Sequence, residues 1–216
     1  TLLAQAVTLP RMSSFDSKSI FQEIVDQNWE SVKQLASTTD ECETKDDCGF
    51  FPLHLVLQDE APEDVQLAIL QKFPQAAVEP SGDGDLALLY ALRNASTLAV
   101  TQLVLDSHPN AVSTASPDGD LPLHVALQYG AEPDIIDRLI ELYPEACKAA
   151  NEDNDLPLHL AFQNNASLVT IERLLTVHPA ASYIAGSEEQ LPCDIAAEND
   201  FDMDVIGPML LANKQE

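Results

Sequence analysis

Three histidines are the first residues whose type and spacing could do chemistry. Residues 50–57 read F-F-P-L-H-L-V-L, 120–127 read D-L-P-L-H-V-A-L and 155–162 read D-L-P-L-H-L-A-F, which places His54, His124 and His159 in one sequence context. Imidazoles at recurring positions suggest a metal set. Ligands of one zinc ion, however, must bring their rings within about 4 Å of one another, because each bond is near 2 Å. Residues one or two whole repeats apart do not converge in that way. The histidines therefore read as helix-start residues, together with Pro52, Pro122, Pro157 and Pro192.

The carboxylates offer a second chemistry. Asp83, Asp118, Asp153 and Glu188 occupy equivalent places in the acidic turns G-D-G-D (82–85), P-D-G-D (117–120), E-D-N-D (152–155) and S-E-E-Q (187–190). Asp85, Asp120 and Asp155 form a second set, each one residue before the apolar helix start. If the turns stack at the spacing of packed helices, about 10 Å, these sets become one or two rows of negative charge. Such rows focus a field that draws in a basic partner. The competing reading of the first row is local, because an Asp in a turn can satisfy its own backbone amides. The D-G-D turns also leave a weak calcium site open at Asp83–Asp85 or Asp118–Asp120, although the closing bidentate Glu of an EF-hand is absent.

The elements that must position these groups follow a beat of 35 residues. Pro74, Pro109, Pro144 and Pro179 lie 35 apart, each followed two residues on by Ala76, Ala111, Ala146 or Ala181. The histidine gaps are 70 and 35, and Leu89 takes the histidine place in the intervening unit. Each unit has an acidic turn, a short helix opened by proline at its first turn, and a second helix with a 3.6-residue apolar period. First helices are expected over 52–58, 87–93, 122–129, 157–164 and 192–198. Ile135, Ile136, Leu139, Ile140 and Tyr143 show the second-helix face in one unit. Thr97 and Ser167 are expected N-caps, and the recurring proline should stop each second helix. Gly207 and Pro208 predict a last helix that starts late or bends. His108 and His178 are expected to cap last-turn carbonyls.

The 35-residue P-L-H-x-A units after a D-x-x-G-like turn resemble the ankyrin repeat. The resemblance covers 50–200 well and 17–37 and 201–212 weakly. The family's unit has 33 residues and a Thr before the proline; here Leu121, Leu156, Leu191 or Phe51 takes that place, and leucine should pack into the stack instead. The L-P-L-H plus P-x-A variety is similar to ankyrin proteins of diatoms and related algae. The resemblance implies an all-α helix-turn-helix solenoid of about four to five full units with degenerate ends, since a single such unit cannot bury its own apolar face. The expected organisation is a lead (1–16), a degenerate N-terminal unit and linker (17–49), four repeats (50–189) and a C-terminal repeat or cap (190–216). It also implies a binding module whose partners meet the concave side and the turn tips.

Charge narrows the partner. With 36 acids against 10 bases, the net charge is −26. That opposes direct contact with a nucleic-acid backbone, which needs a Lys/Arg footprint, and with bare anionic membrane. The expected partner is a basic protein or polycationic peptide, met by the acidic turns and by first-helix residues such as Gln128, Tyr129 and Gln163. No cofactor is expected, and no P-loop, H-E-x-x-H or nucleophile elbow points to an enzyme. The alternatives are a structural or self-associating spacer, with a link to silica vesicles or cell-wall patterning suggested by the algal resemblance alone, and a divalent-ion-responsive element. The four cysteines are expected reduced, with a Cys42–Cys48 bridge as the alternative. A cytoplasmic location is expected; the N-x-S sequons at Asn94 and Asn165 keep a secretory or lumenal one open.

Overall fold

The computed structural model describes residues 18–212, so the expected lead at 1–16 lies outside the described residues. Within them the chain is all helix and turn, with no strand. The helices are α1 (Ile20–Val25), α2 (Trp29–Thr38), α3 (Pro52–Gln58), α4 (Glu63–Lys72), α5 (Ala87–Arg93), α6 (Leu98–Ser107), α7 (Pro122–Gln128), α8 (Pro133–Leu142), α9 (Pro157–Gln163), α10 (Leu168–Val177), α11 (Pro192–Glu198) and α12 (Met203–Ala212). From α3 onward, each first helix begins 35 residues after the previous first helix, and the second helices keep the same offset.

Proline and its neighbours set the boundaries. Pro52, Pro122, Pro157 and Pro192 each occupy the first turn of their helix, where a missing N–H costs nothing. Thr97 Oγ1 accepts from Val100 N–H and Ser167 Oγ from Thr170 N–H, so both predicted N-caps form, each contributing about 1 kcal/mol. Second helices stop at Phe73, His108, Tyr143 and His178, all with φ between −132° and −144° and ψ near 77°. Those residues precede prolines, whose rings exclude the helical region one residue upstream. A short 3-10 turn follows each time, as at Pro109–Ser113.

Two residues per unit take the left-handed conformation, and Glu188 adds a third in the last. Gly49, Gly84, Gly119, Asn154 and Glu189 do so in the acidic turns, and Glu60, Ala95, Gly130, Asn165 and Asp200 in the joints between paired helices. Glycine suits only some of these places, and the others carry the modest cost of a side chain there.

Packing joins like to like. The first helices stack in the series α3, α5, α7, α9, α11, and the second helices in the series α2, α4, α6, α8, α10, α12, while α1 packs on both α2 and α3. First helices are buried nearly all round; in α5 every residue from Ala87 to Leu92 is buried. Second helices bury one stripe, such as Ile135, Ile136, Leu139 and Ile140 of α8, and each such side chain gains about 1.5–3 kcal/mol on leaving water. The buried side chains of all units form one continuous core. Leucine before the proline packs into it fully at Leu156 and partly at Leu121 and Leu191. Helix α12 runs unbroken from Met203 with Pro208 inside it, so it does not start late as the sequence allows.

Candidate functional site: the turn edge

The acidic turns before α5, α7 and α9 close in one way. In the second unit Ser81 N–H donates to Asp85 O and Gly84 N–H to Ser81 O, at 2.9 and 3.0 Å. The same pair of bonds recurs at Ser116–Asp120 and Asn151–Asp155. Side chains reinforce them: Asp120 N–H donates to Ser116 Oγ and Asp155 N–H to Asn151 Oδ1. The turn is therefore held by its first residue, and the acid at its tip is not needed for closure.

That geometry separates the two acid rows. Asp83, Asp118, Asp153 and Glu188 sit at the tips, are exposed, and among the described residues neither accept a hydrogen bond nor pair with a cation. The equivalent position in the first full unit is Cys48, also exposed. The second row turns inward. Asp85 is 6% exposed and pairs with Arg93 from the end of α5. Asp155 is 4% exposed and accepts from Ser187 N–H at 2.8 Å, Ser187 Oγ at 3.0 Å and Gln163 Nε2 at 3.3 Å. Asp120 is partly exposed and beside His124, with Oδ1 3.9 Å from Nδ1. A charge placed in low dielectric must find donors. The second row is thus not the open row that its spacing suggests: Asp85 and Asp155 are committed internally.

The histidines are built into the helix starts. Nδ1 of His54, His124 and His159 accepts the N–H of Phe51, Leu121 and Leu156, at 3.2, 3.1 and 3.0 Å. Since Nδ1 accepts, the proton resides on Nε2, which donates to Ala149 O from His124 (2.9 Å) and to Ile184 O from His159 (3.0 Å). At His54, Nε2 is buried without a hydrogen-bond partner of normal geometry. Burial holds all three imidazoles below their usual pKa, His54 down to about 4 with help from Lys45. Asp194 does the same work in α11, accepting Leu191 N–H at 3.1 Å, whereas Leu89 has no acceptor to offer in α5. His108 differs from expectation: its Nδ1 faces Ala77 O of the preceding unit at 3.4 Å, not a carbonyl of its own last turn.

Around the turns, Gln128 and Tyr129 at the end of α7 are exposed, Tyr129 by 50%. Gln163 is half-buried on Asp155. All four cysteines are free thiols, and burial pushes those of Cys42 and Cys147 up to about 11. Among the described residues no three His, Cys, Asp or Glu side chains gather as a metal-binding group. No helix there is long and apolar enough to cross a membrane.

Two solved structures share this arrangement of stacked helix pairs. One is EF0377, an ankyrin repeat protein, which matches at a TM-score of 0.67 and 15% identity over 94% of this chain and 99% of that one. The fold resembles that of an ankyrin-repeat protein. The other is a chain from the complex of the Bd0816 predatory endopeptidase from Bdellovibrio bacteriovorus with immunity protein Bd3460, at a TM-score of 0.67 and 16% identity over 92% of this chain and 98% of that one. No family model matches the sequence, and no curated protein matches it either. Neither structural match is specific to algae, so the ankyrin resemblance extends to the fold and no finer.

Proposed function

We propose that this chain is a non-enzymatic, protein-binding scaffold whose turn edge captures a basic partner. It would comprise five units of 35 residues behind a degenerate N-terminal helix pair. The observation that carries the reading is the tip row: Asp83, Asp118, Asp153 and Glu188 are exposed at equivalent positions with no internal cation, in a chain of net charge −26. Turn closure does not use these side chains, so a purely local role leaves them unexplained. Carboxylates held at regular intervals on a rigid stack lose little entropy on binding and steer a cationic partner from a distance. One of the solved relatives in fold comes from a complex between an endopeptidase and an immunity protein, which is in keeping with a protein-binding role.

The test uses fluorescent deca-lysine and the quadruple variant D83N/D118N/D153N/E188Q. The native chain should bind the peptide, and binding should weaken as salt rises from 50 to 300 mM, because exposed charges are screened. The quadruple variant should lose at least tenfold in affinity with an unchanged circular dichroism spectrum. Equal affinity of the two proteins would remove the tip row from the function. Concentration-dependent self-association that survives the variant would favour the spacer reading instead.

A further inference from the structure

Asp120 lacks what its two equivalents have. Asp85 is met by Arg93, eight residues on, and Asp155 by Gln163, also eight residues on, with both donors of Ser187 added from the next turn. The residue eight after Asp120 is Gln128, which is exposed and makes no hydrogen bond. The residue equivalent to Ser187 is Glu152, an exposed acid that brings no hydroxyl. His124 gives no help either, because its Nδ1 is the acceptor for Leu121 N–H and its proton lies on the opposite nitrogen, donated to Ala149 O. Asp120 Oδ1 is buried without a donor, as Asp85 Oδ1 is, but the other oxygen of Asp120 also has no donor where that of Asp85 has Arg93, and the side chain as a whole stays 22% exposed. One carboxylate of the row is partly desolvated, uncompensated and still reachable from outside.

The neighbouring unit shows which group meets the open oxygen of such a site. At Asp85 it is a guanidinium, and guanidinium forks match carboxylates better than ammonium does. We infer that Asp120 is the docking point for an arginine side chain of the basic partner, which takes there the place that Arg93 fills for Asp85. The inference rests on the acidic-edge reading and narrows it to one residue and one side-chain chemistry.

Hexa-arginine and hexa-lysine are the probes, titrated at low salt against the native chain and the variants D118N, D120N and Q128R. Hexa-arginine should bind more tightly than hexa-lysine. D120N should weaken hexa-arginine at least tenfold, whereas D118N, which removes the same charge from the tip row, should weaken it less than threefold. Q128R places an internal guanidinium where Arg93 stands; it should also cost at least tenfold, and it should raise the melting temperature. D120N should leave the melting temperature unchanged or higher, whereas a structural carboxylate would lower it. Native affinity in either D120N or Q128R, or an equal loss in D118N and D120N, overturns the assignment. If D120N binds normally while D83N/D118N/D153N/E188Q does not, the acidic edge stands and the arginine site falls. If neither peptide binds the native chain, both fall.

Discussion

Asp155 accepts both the N–H and the hydroxyl of Ser187, 32 residues further on, and so ties one turn to the next. Replacing Asp155 with Ala would strip Ser187 and Gln163 of their acceptor and leave a partly buried amide unpaired. The expected cost is about 2–3 kcal/mol. Ser187→Ala removes only the hydroxyl bond and should cost about 1 kcal/mol. Urea unfolding of both variants checks the ranking; a larger loss for Ser187→Ala would mean that the inter-turn bond is not what stabilises this junction.

Gly186 should tolerate no side chain. A Cβ there would overlap Asp155 Oδ1 and come within 2.9 Å of the His159 ring. Gly186→Ala is expected to cost about 2–3 kcal/mol, the range of an overpacked interior. Gly130 has φ of +68° but open space around it, so Gly130→Ala should cost only about 1 kcal/mol from the backbone alone. Chemical denaturation of the two variants separates steric from conformational demand.

The pH response should bear the mark of His54. Its native pKa is lowered from 6.5 to about 4, chiefly by burial. Above pH 6.5 neither state binds the proton. Between 6.5 and 4 the unfolded chain takes up a proton that the native imidazole refuses, so stability falls as pH falls, by roughly 3 kcal/mol in total from this group. His54→Leu, which copies the residue found at Leu89, should be less stable at pH 7 but should lose much of that deficit by pH 4. Parallel stability curves for the two proteins from pH 7 to 4 would contradict this.

Arg93 should matter more to stability than an exposed arginine would. Its guanidinium is the donor for Asp85, whose other oxygen is already buried and unpaired. Arg93→Gln should destabilise by about 2–3 kcal/mol, below the full penalty for a buried pair because the arginine is partly solvated. The double variant Asp85→Asn/Arg93→Gln should recover most of that loss. Thermal melts of the native chain, both singles and the double give the coupling directly.

The architecture was legible because it rests on local rules that repeat. Proline at 52, 122, 157 and 192 opens helices, proline at 74, 109, 144 and 179 ends them, and both signals are readable one residue at a time. The direction of the second acid row was not legible. Whether Asp85, Asp120 and Asp155 face water depends on donors eight residues on and in the next turn, and Arg93, Gln128 and Gln163 differ in what they can supply. The left-handed backbone at Ala95 and Glu189 was also hidden, since neither residue type advertises it. Pro208 left two outcomes open, and the helix starts at Met203 with the proline inside it, where the packing of Ile206 and Leu210 into the stack offsets the lost hydrogen bond.

The imidazole of His124 reaches Ala149, and that of His159 reaches Ile184, each 25 residues on and still ahead of the next acidic turn. The two modules that carry these bonds are therefore buttoned shut by their own sequence before the following one begins. A gene encoding such a chain can lose or duplicate a stretch between equivalent codons and leave each button facing its own buttonhole. An indel of any other length that falls between a histidine and its carbonyl would set that histidine opposite the wrong atom. Such arrays should accordingly vary in nature by entire modules and seldom by fractions of one.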